Sequence, residues 1–264
     1  MFNATMPPWA IDMHCHCNSN SKYDTKPQFD PKNTVSNVFP AFLEKERRRM
    51  NVLGCALTTY SAVLSSEEVY EQNEYMYALS KENPFFFQWA VIDPCDERTF
   101  EQAKQMLKSD KTLGLKIHSY FHNYEIMNEV RRLFAFANDL GAALLMHPDH
   151  PREVCPIADE FPDMKLINAH LSGLDHIHVI QNAKHGNVFT DTSGSLSYQN
   201  NVIEYAVERI GSEKIFFGTD SYSCAFQRGR IDYADVSDQD KENILRENAL
   251  REFPKLKKAF SDKL

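Results

Sequence analysis

The chain has 264 residues, of which 42% are hydrophobic and 25% charged, and its formal net charge is −8. This composition is that of a globular protein long enough to bury a full core. The acidic balance argues against a nucleic-acid partner, because phosphate binding needs a basic face. Because no run has the roughly 18 apolar residues of a membrane span and no signal peptide is evident, we expect a cytoplasmic protein with no membrane partner.

The cysteine pattern agrees with a reducing compartment. The six cysteines stand at positions 15, 17, 55, 95, 155 and 224 and form no C-x-x-C pair. Several lie in apolar runs such as VLGCAL, which favours buried free thiols over a disulfide framework.

Short apolar, β-rich runs alternate with stretches of helical periodicity along the chain. We predict eight strands, namely WAIDMHC (9–15), NVLGCALTTY (51–60), PFFFQWAVID (84–93), LGLKIHSY (113–120), GAALLMH (141–147), MKLINAH (164–170), NVFTDTS (187–193) and KIFFGTD (214–220). We predict helices at 38–50, 67–82, 97–109, 127–140, 151–161, 174–184, 200–210 and 238–253.

Eight alternating units favour a parallel sheet closed into a (β/α)8 TIM barrel. The rival, a doubly wound open sheet, usually has a glycine-rich phosphate loop after its first strand, and the segment following the first strand here has no glycine. We therefore predict a single α/β barrel domain over residues 1–264. Residues 18–37 would then form a lid or wall loop at its mouth.

Polar residues able to do chemistry stand at the ends of most predicted strands. In a TIM barrel the active site lies at these carboxyl ends. One strand-end histidine is more often a packing residue than a ligand, but a whole set at one end is hard to explain as coincidence. The set consists of His14, His16, Lys116, His118, His147, His170 and Asp220.

His14 and His16 are two residues apart on the first strand, so their side chains share one face. Both imidazoles can then reach one ion, whereas Cys15 and Cys17 point outward against the helices. Asp12 has the parity of the histidines, and it either orients a ligand or fills an interior layer.

Lys116, His118 and Tyr120 share one face of the fourth strand. We favour Lys116 as a cation that faces a substrate carboxylate or phosphate; the alternative is a metal ligand formed by deprotonation or conversion to a carbamate. Arg228 and Arg230, in the predicted loop after the last strand, either grip an anionic substrate or are solvated.

The segments IDMHCHC, LGLKIHSY, LLMHPD, DMKLINAHLSG, FFGTDSY and ILRENALREF resemble the amidohydrolase superfamily, in particular its amidohydrolase-related branch (amidohydrolase 2) of metal-dependent hydrolases. They run from the first strand to the last helix, so the resemblance covers nearly the whole chain. It implies a distorted barrel that holds one or two divalent ions, most often zinc. It also implies a small-molecule substrate and, in many relatives, a homodimer.

The resemblance also implies roles for the strand-end residues. In a mononuclear site His14, His16, His147 and Asp220 would bind the metal, and His170 would bind the substrate or polarise its carbonyl. In a binuclear site Lys116 would be a bridging carbamate, and His147 and His170 would hold the second ion. The resemblance gives no fixed role to His118, which we group with Lys116, Tyr120 and Arg228 as substrate-binding. Histidine and carboxylate ligands also suit manganese, iron or cobalt.

Our main functional expectation is hydrolysis of an amide, ester or lactone in a small substrate, and a carboxylated substrate is favoured if Arg228 and Arg230 bind it. A metal-activated water would attack, Asp220 would accept its proton, and the metal or His170 would stabilise the oxyanion. The first alternative is a metal-dependent, non-oxidative decarboxylase of the same superfamily. The second is a metal-containing barrel that binds a ligand without catalysis.

The division of the first strand into two faces is testable. Replacing Cys15 and Cys17 together with alanine should leave the divalent metal bound per chain unchanged, because both thiols point away from the histidines. Replacing His14 or His16 with alanine should lower it. Elemental analysis of the purified variants measures this, and loss of metal from the double cysteine variant would contradict the division.

Overall fold

The computed structural model describes residues 8–19, 21, 38–194, 199–221 and 224–263. All eight predicted strands are present, paired in parallel and in chain order: β1 (Ala10–Cys17), β2 (Val52–Thr59), β3 (Phe86–Val91), β4 (Thr112–Ile117), β5 (Ala143–Met146), β6 (Lys165–Asn168), β7 (Val188–Asp191) and β8 (Ile215–Phe216). Most of the predicted lid segment, residues 20 and 22–37, lies outside the described residues.

Hydrogen bonds between β1 and the chain after β8 join the two edges of the sheet. The Met13 amide donates to the Phe217 carbonyl at 2.8 Å, and the amides of Thr219 and Asp220 both donate to the His14 carbonyl, at 3.0 and 2.7 Å. The sheet is thereby closed, which confirms the predicted (β/α)8 barrel. The carboxyl ends of the strands meet at one mouth.

Helices connect the strands and cover the barrel. They are α1 (Pro40–Arg49), α2 (Tyr60–Leu64), α3 (Val69–Glu82), α4 (Glu97–Met106), α5 (Ser119–His122), α6 (Ile126–Asp139), α7 (Pro151–Val154), α8 (Leu174–Gln181), α9 (Val202–Ile210), α10 (Cys224–Asp232), α11 (Asp238–Glu242), α12 (Asn248–Glu252) and α13 (Pro254–Ala259). In α6 the buried residues Ile126, Val130, Leu133 and Phe134 form the apolar stripe expected of a helix packed on a sheet. In the described part of the chain, no helix is both long and apolar enough to cross a membrane.

Several segments differ from the prediction. The helix predicted over 238–253 is divided by a π-helix, Asn243–Glu247, and the strand predicted to end at 120 ends at Ile117 and is followed by α5. Residues 151–161 form the short helix α7 followed by a 3-10 helix, Cys155–Glu160, because Pro156 has no amide hydrogen to continue an α-helical ladder. The segment that carries Arg228, expected to be a loop, forms α10 instead.

The faces of β1 are set by a local irregularity as well as by alternation. Its register against β2 shifts between Asp12 and Cys15. Met13 packs in the same buried cluster as Phe87 and Trp89 of β3, and Trp89 Nε1 donates to the Met13 carbonyl at 2.8 Å. Asp12 is bonded to the chain after β8, where its carboxylate accepts from the Thr219 hydroxyl at 2.6 Å.

Beyond the irregularity the two faces of β1 are as predicted. Cys15 and Cys17 are buried in an outer cluster with Leu43 of α1 and Val52 of β2. The rings of His14 and His16 instead lie together, with centroids 5.2 Å apart in a T-shaped arrangement.

Close contact between β3, β4 and β5 depends on Gly114. A Cβ added at this position would lie 2.5 Å from both the Ala143 carbonyl oxygen and the Trp89 ring. Only a residue without a side chain allows this approach, so Gly114 is a packing requirement of the barrel wall.

We expect Gly114→Ala to lower the free energy of unfolding by about 1–3 kcal/mol or more, because backbone and indole must both move. The matched control is Gly229→Ala, in α10, where an added Cβ meets nothing within 4 Å. That variant should gain about 0.5–1 kcal/mol from the better helix propensity of alanine. Urea unfolding monitored by circular dichroism measures both, and equal effects of the two substitutions would contradict this account.

Candidate metal centre

The barrel brings most of the predicted strand-end residues to one place. His14 lies 5.0 Å from His170 and the latter 5.3 Å from His147, measured between ring centroids. Asp220, directly after β8, reaches the two histidines of β1. The expectation that residues far apart in the chain form one site at the carboxyl ends of the strands therefore agrees with the geometry.

The side chains of His14, His16 and Asp220 form a group suited to a metal ion. One ligand atom from each lies within 4.8 Å of the others. Asp220 Oδ1 is 3.0 Å from His16 Nε2 and 3.8 Å from His14 Nε2. Two imidazole nitrogens and one carboxylate oxygen are a donor set that accepts manganese, iron, cobalt or zinc, so these residues fit the divalent ion expected of the site.

A neighbouring hydroxyl sets the orientation of the His16 ring. Its Nδ1 lies 2.5 Å from Oγ1 of Thr58, the β2 residue paired with His16 across the sheet. This contact occupies Nδ1 and leaves Nε2 to face Asp220.

The electrostatics of the site keep the His14 imidazole neutral and the Asp220 carboxylate ionised. Burial, with help from the nearby Lys116 charge, lowers the pKa of His14 to about 3. Burial acts to raise the pKa of Asp220, but its hydrogen bond to His16 and the charges of the nearby histidines hold that pKa below its ordinary value. Neutral imidazole and ionised carboxylate are the forms that bind a metal.

A second group shares His14. It combines His14, His170 and Asp191, again with ligand atoms within 4.8 Å of one another. The Ser193 hydroxyl oxygen lies among them, 2.9 Å from His14 Nδ1 and 3.0 Å from His170 Nδ1, and it donates to Asp191 Oδ1. The ligand atoms of this group are therefore already occupied by hydrogen bonds to one another and to Ser193.

Asp191 is a residue that the sequence reasoning missed. It lies 3.0 Å from His14 Nδ1 and is buried. Burial raises its pKa, but the charge and hydrogen bond of His14 outweigh this and lower the pKa to about 2. A signal was available, because Asp191 ends β7 in NVFTDTS just as Asp220 follows β8 in KIFFGTD.

Lys116 lies inside the site. Its side chain is buried, and its ammonium nitrogen is 3.2 Å from His14 Nε2. Burial lowers its pKa to about 8, although the charges of Asp220 and Asp191 act in the opposite direction. The structure thus places Lys116 beside the metal-suited group, and its role as a cation that faces a substrate carboxylate or phosphate stays a prediction.

His147 is beside the metal group but outside it. Its ring stacks on His118 with centroids 4.1 Å apart, and its Nδ1 lies 3.5 Å from Asp149 Oδ1. Among the described residues, neither metal-suited group includes His147. Of the expected set His14, His16, His147 and Asp220, the structure brings three together as one group, and the ring of His147 lies stacked on His118 beside it.

Two predicted substrate-binding residues lie away from the centre. Tyr120 is on α5 with 73% of its surface exposed. Arg228 does not reach the mouth: its guanidinium is buried, pairs with Asp232, and donates to the carbonyls of Met50 and Pro8, which precede β2 and β1. The prediction for Arg228 is corrected by this geometry, because a residue taken to be in a mouth loop ties α10 to the opposite end of the barrel.

The fold and this arrangement define a metal-dependent barrel enzyme of the amidohydrolase type. The chain belongs to the amidohydrolase family, whose model matches residues 11–255. No protein of curated function matches the sequence.

Solved structures with the same fold include several decarboxylases. The 2,6-dihydroxybenzoate decarboxylase from Rhizobium has a TM-score of 0.74 at 12% identity, covering 94% of this chain and 99% of that one. The dihydroxybenzoic acid decarboxylase from Polaromonas, with bound manganese and 2-nitroresorcinol, has a TM-score of 0.74 at 13% identity, covering 94% and 97%. The 5-carboxyvanillate decarboxylase from Sphingomonas paucimobilis has a TM-score of 0.72 at 14% identity, covering 93% and 99%. At these identities the likeness establishes a shared fold.

The three-donor geometry generates a prediction for metal affinity. We expect His16→Ala and Asp220→Asn to weaken Mn²⁺ binding by more than the roughly 10- to 100-fold typical of an outer-shell partner. His147→Ala should weaken it less, because His147 lies outside the group. Isothermal titration of metal-free protein with Mn²⁺ measures the affinities.

The control for this series is His178→Ala, which removes an exposed imidazole from α8. It should leave the affinity unchanged. If His147→Ala cost as much affinity as His16→Ala, the three-donor description would be wrong and the four-ligand set expected from the sequence would be restored.

Proposed function

We propose that this protein is a metal-dependent decarboxylase that releases carbon dioxide non-oxidatively from a small aromatic carboxylate. One observation carries the proposal: the buried ammonium of Lys116 lies beside the metal-suited group, 3.2 Å from His14 Nε2. A cation in this position is a partner for an anionic oxygen of a carboxylated substrate.

The structural neighbours support the same chemistry over our main expectation of hydrolysis. Two of them are named for their action on 2,6-dihydroxybenzoate and 5-carboxyvanillate, which are both aromatic carboxylates. They share the fold with this chain over more than nine-tenths of its length, since the covered fractions are 94% and 93%.

For the metal we propose His14, His16 and Asp220 as ligands, and manganese ahead of the expected zinc. The Polaromonas neighbour holds manganese, and nitrogen and oxygen donors suit either ion. A divalent ion held there would supply a Lewis acid that polarises a substrate oxygen.

The remaining chemistry is assigned to side chains of this protein. In decarboxylation the bond to the carboxylate carbon breaks, its electron pair stays on the ring carbon, that carbon takes up one proton, and carbon dioxide leaves without any oxidant. Lys116 binds an anionic oxygen of the substrate. Asp220, whose side chain keeps 15% of its surface exposed, relays the proton; its lowered pKa means that it holds the proton only transiently.

Hydrolysis of an amide, ester or lactone is the second candidate, and one observation favours it. Asp220 is held ionised beside His16 and His14, which suits a base that takes a proton from water. The metal-suited group serves both reactions, so activity itself must separate them.

The two reactions are separated by matched substrates. Mn²⁺-loaded protein should release carbon dioxide from 2,6-dihydroxybenzoate or 5-carboxyvanillate and should leave their methyl esters intact. Carbon dioxide capture and methanol assay measure the two outcomes, with Asp220→Asn as the inactive control. Methanol from the esters without carbon dioxide from the acids would establish hydrolysis in place of decarboxylation.

The role of Lys116 predicts a particular kinetic change in Lys116→Met, which keeps the length of the side chain and removes its charge. A charged hydrogen bond contributes about 1.5–3 kcal/mol, so we expect KM to rise roughly 10- to 100-fold. Because the carboxylate charge disappears in the transition state, kcat should change less than KM.

The control for this prediction is Lys111→Met, at a lysine whose ammonium binds the carbonyls of Asn83, Pro84 and Phe86. It should leave KM unchanged. A fall in kcat with unchanged KM in Lys116→Met would mean that Lys116 does not bind the substrate in its ground state.

A further inference from the structure

The turn that follows β7 contacts both histidines at the back of the metal centre. We call residues Asp191 to Gly194 the β7 turn. The Asp191 carboxylate faces His14 Nδ1 at 3.0 Å. The Ser193 carbonyl faces His170 Nδ1 at 3.1 Å, and the Ser193 hydroxyl lies about equally far from both Nδ1 atoms, at 2.9 and 3.0 Å.

We propose that the β7 turn fixes the tautomers of His14 and His170, so that both rings carry their proton on Nδ1 and leave Nε2 unprotonated, which in His14 is the nitrogen near Asp220. Asp191 is the positioning residue for His14, and the Ser193 backbone carbonyl has this role for His170. The Ser193 hydroxyl links the two.

The assignment follows from which atoms can donate. A carboxylate and a carbonyl oxygen have no hydrogen, so each can only accept. The Nδ1 atoms of His14 and His170 face such oxygens and must therefore be the donors. A neutral imidazole has one N–H, so Nε2 of each ring keeps its lone pair.

The hydrogen bonds of the Ser193 hydroxyl are consistent with these tautomers. It has one hydrogen, which it gives to Asp191 Oδ1, and its lone pairs remain for the two Nδ1–H groups. Ser193 is fully buried, so water does not compete for these bonds. The hydrogen-bonded group of His14, His170 and Asp191 thus supports the metal-suited group of His14, His16 and Asp220.

The backbone conformation of the β7 turn holds Asp191 and Ser193 against the two histidines. Asp191 Oδ1 also accepts from the Ser193 amide at 2.8 Å, which fixes the turn. Gly194 has a φ of +56°, and a Cβ there would lie 2.6 Å from His170 Nδ1. Glycine at this position therefore lets the His170 ring lie against the chain.

The same reasoning gives the opposite tautomer elsewhere, which supplies internal references. His122 faces the Ala62 carbonyl and His176 the Ala169 carbonyl, in both cases through Nε2 at 2.8 Å. These two rings should carry their proton on Nε2.

The first experiment needs no variant of the turn. Metal-free protein labelled with ¹⁵N in its histidine rings is studied by long-range ¹H–¹⁵N NMR, with signals assigned by single His→Gln substitutions. We expect His14 and His170 to be protonated on Nδ1, and His122 and His176 on Nε2. A proton on Nε2 of His14 or His170 would overturn the proposal.

Asp191→Asn gives a directional test. The Ser193 amide needs an acceptor at the Oδ1 position, so the asparagine oxygen should take that place and its NH₂ should face His14 Nδ1. Since NH₂ donates, His14 should shift toward the Nε2–H tautomer, against the Lys116 ammonium 3.2 Å from Nε2, while His170 keeps its own tautomer. Mn²⁺ affinity, measured by titration, should fall about 10- to 100-fold.

Two further variants separate tautomer control from general damage. Ser193→Ala removes only the link, so both tautomers should persist and Mn²⁺ affinity should fall less than in Asp191→Asn. Thr190→Val removes a buried hydroxyl of β7 that has no hydrogen-bond partner among the described residues, and it should change neither property. If Asp191→Asn left His14 on the Nδ1–H tautomer, or if Ser193→Ala lost as much affinity, the proposed role of Asp191 would be wrong.

This inference depends on the proposed metal centre only for the affinity measurements. The tautomers are read in metal-free protein and do not depend on whether the reaction is decarboxylation or hydrolysis. Failure of the proposed activity would therefore leave the NMR result standing, and failure of the NMR result would leave the activity assay standing.

Discussion

The candidate site depends on the hydrogen-bonded junction between β1 and the chain after β8, which we call the seam. A barrel of parallel strands must join its first and last edges, and here the joining residues are also the metal-suited ones. The Asp12 carboxylate accepts from the His14 amide at 3.2 Å and from the Thr219 amide at 3.1 Å. The His14 carbonyl in turn accepts from the amide of Asp220 at 2.7 Å. Closing the barrel therefore places His14 and Asp220 side by side.

The seam also holds a backbone that would otherwise be unfavourable. Asp220 and Ser221 both have a φ of +57°, a region that costs a residue with a side chain of order 1–3 kcal/mol. Ser221 offsets this cost with hydrogen bonds from its hydroxyl to the His16 carbonyl at 2.6 Å and from the His16 amide at 2.8 Å. The left-handed turn directs Asp220 back toward β1, which a strand continuing straight would not do.

The candidate site contains charged groups of both signs. Asp220 and Asp191 are ionised, Lys116 supplies one ammonium, and burial keeps His14 and His170 neutral. These groups leave an excess of negative charge that attracts a divalent ion. In the proposed function, Lys116 at the same time supplies the positive charge that binds an anionic substrate. Since these groups are removed from bulk water, their interactions are stronger than they would be at the surface.

The sequence by itself determined the strands, their order in a closed barrel, and which of their ends carry the candidate metal ligands His14, His16 and Asp220. These follow from apolar periodicity and from the position of polar residues directly after it, which are local properties of the chain. Only the tertiary structure decided that His147 stacks on His118, that Arg228 ties α10 to the opposite end of the barrel, and that Asp191 supports His14. The physical reason is that ring stacking, guanidinium pairing and imidazole tautomers depend on partners from other strands and helices, whose distances no local pattern contains.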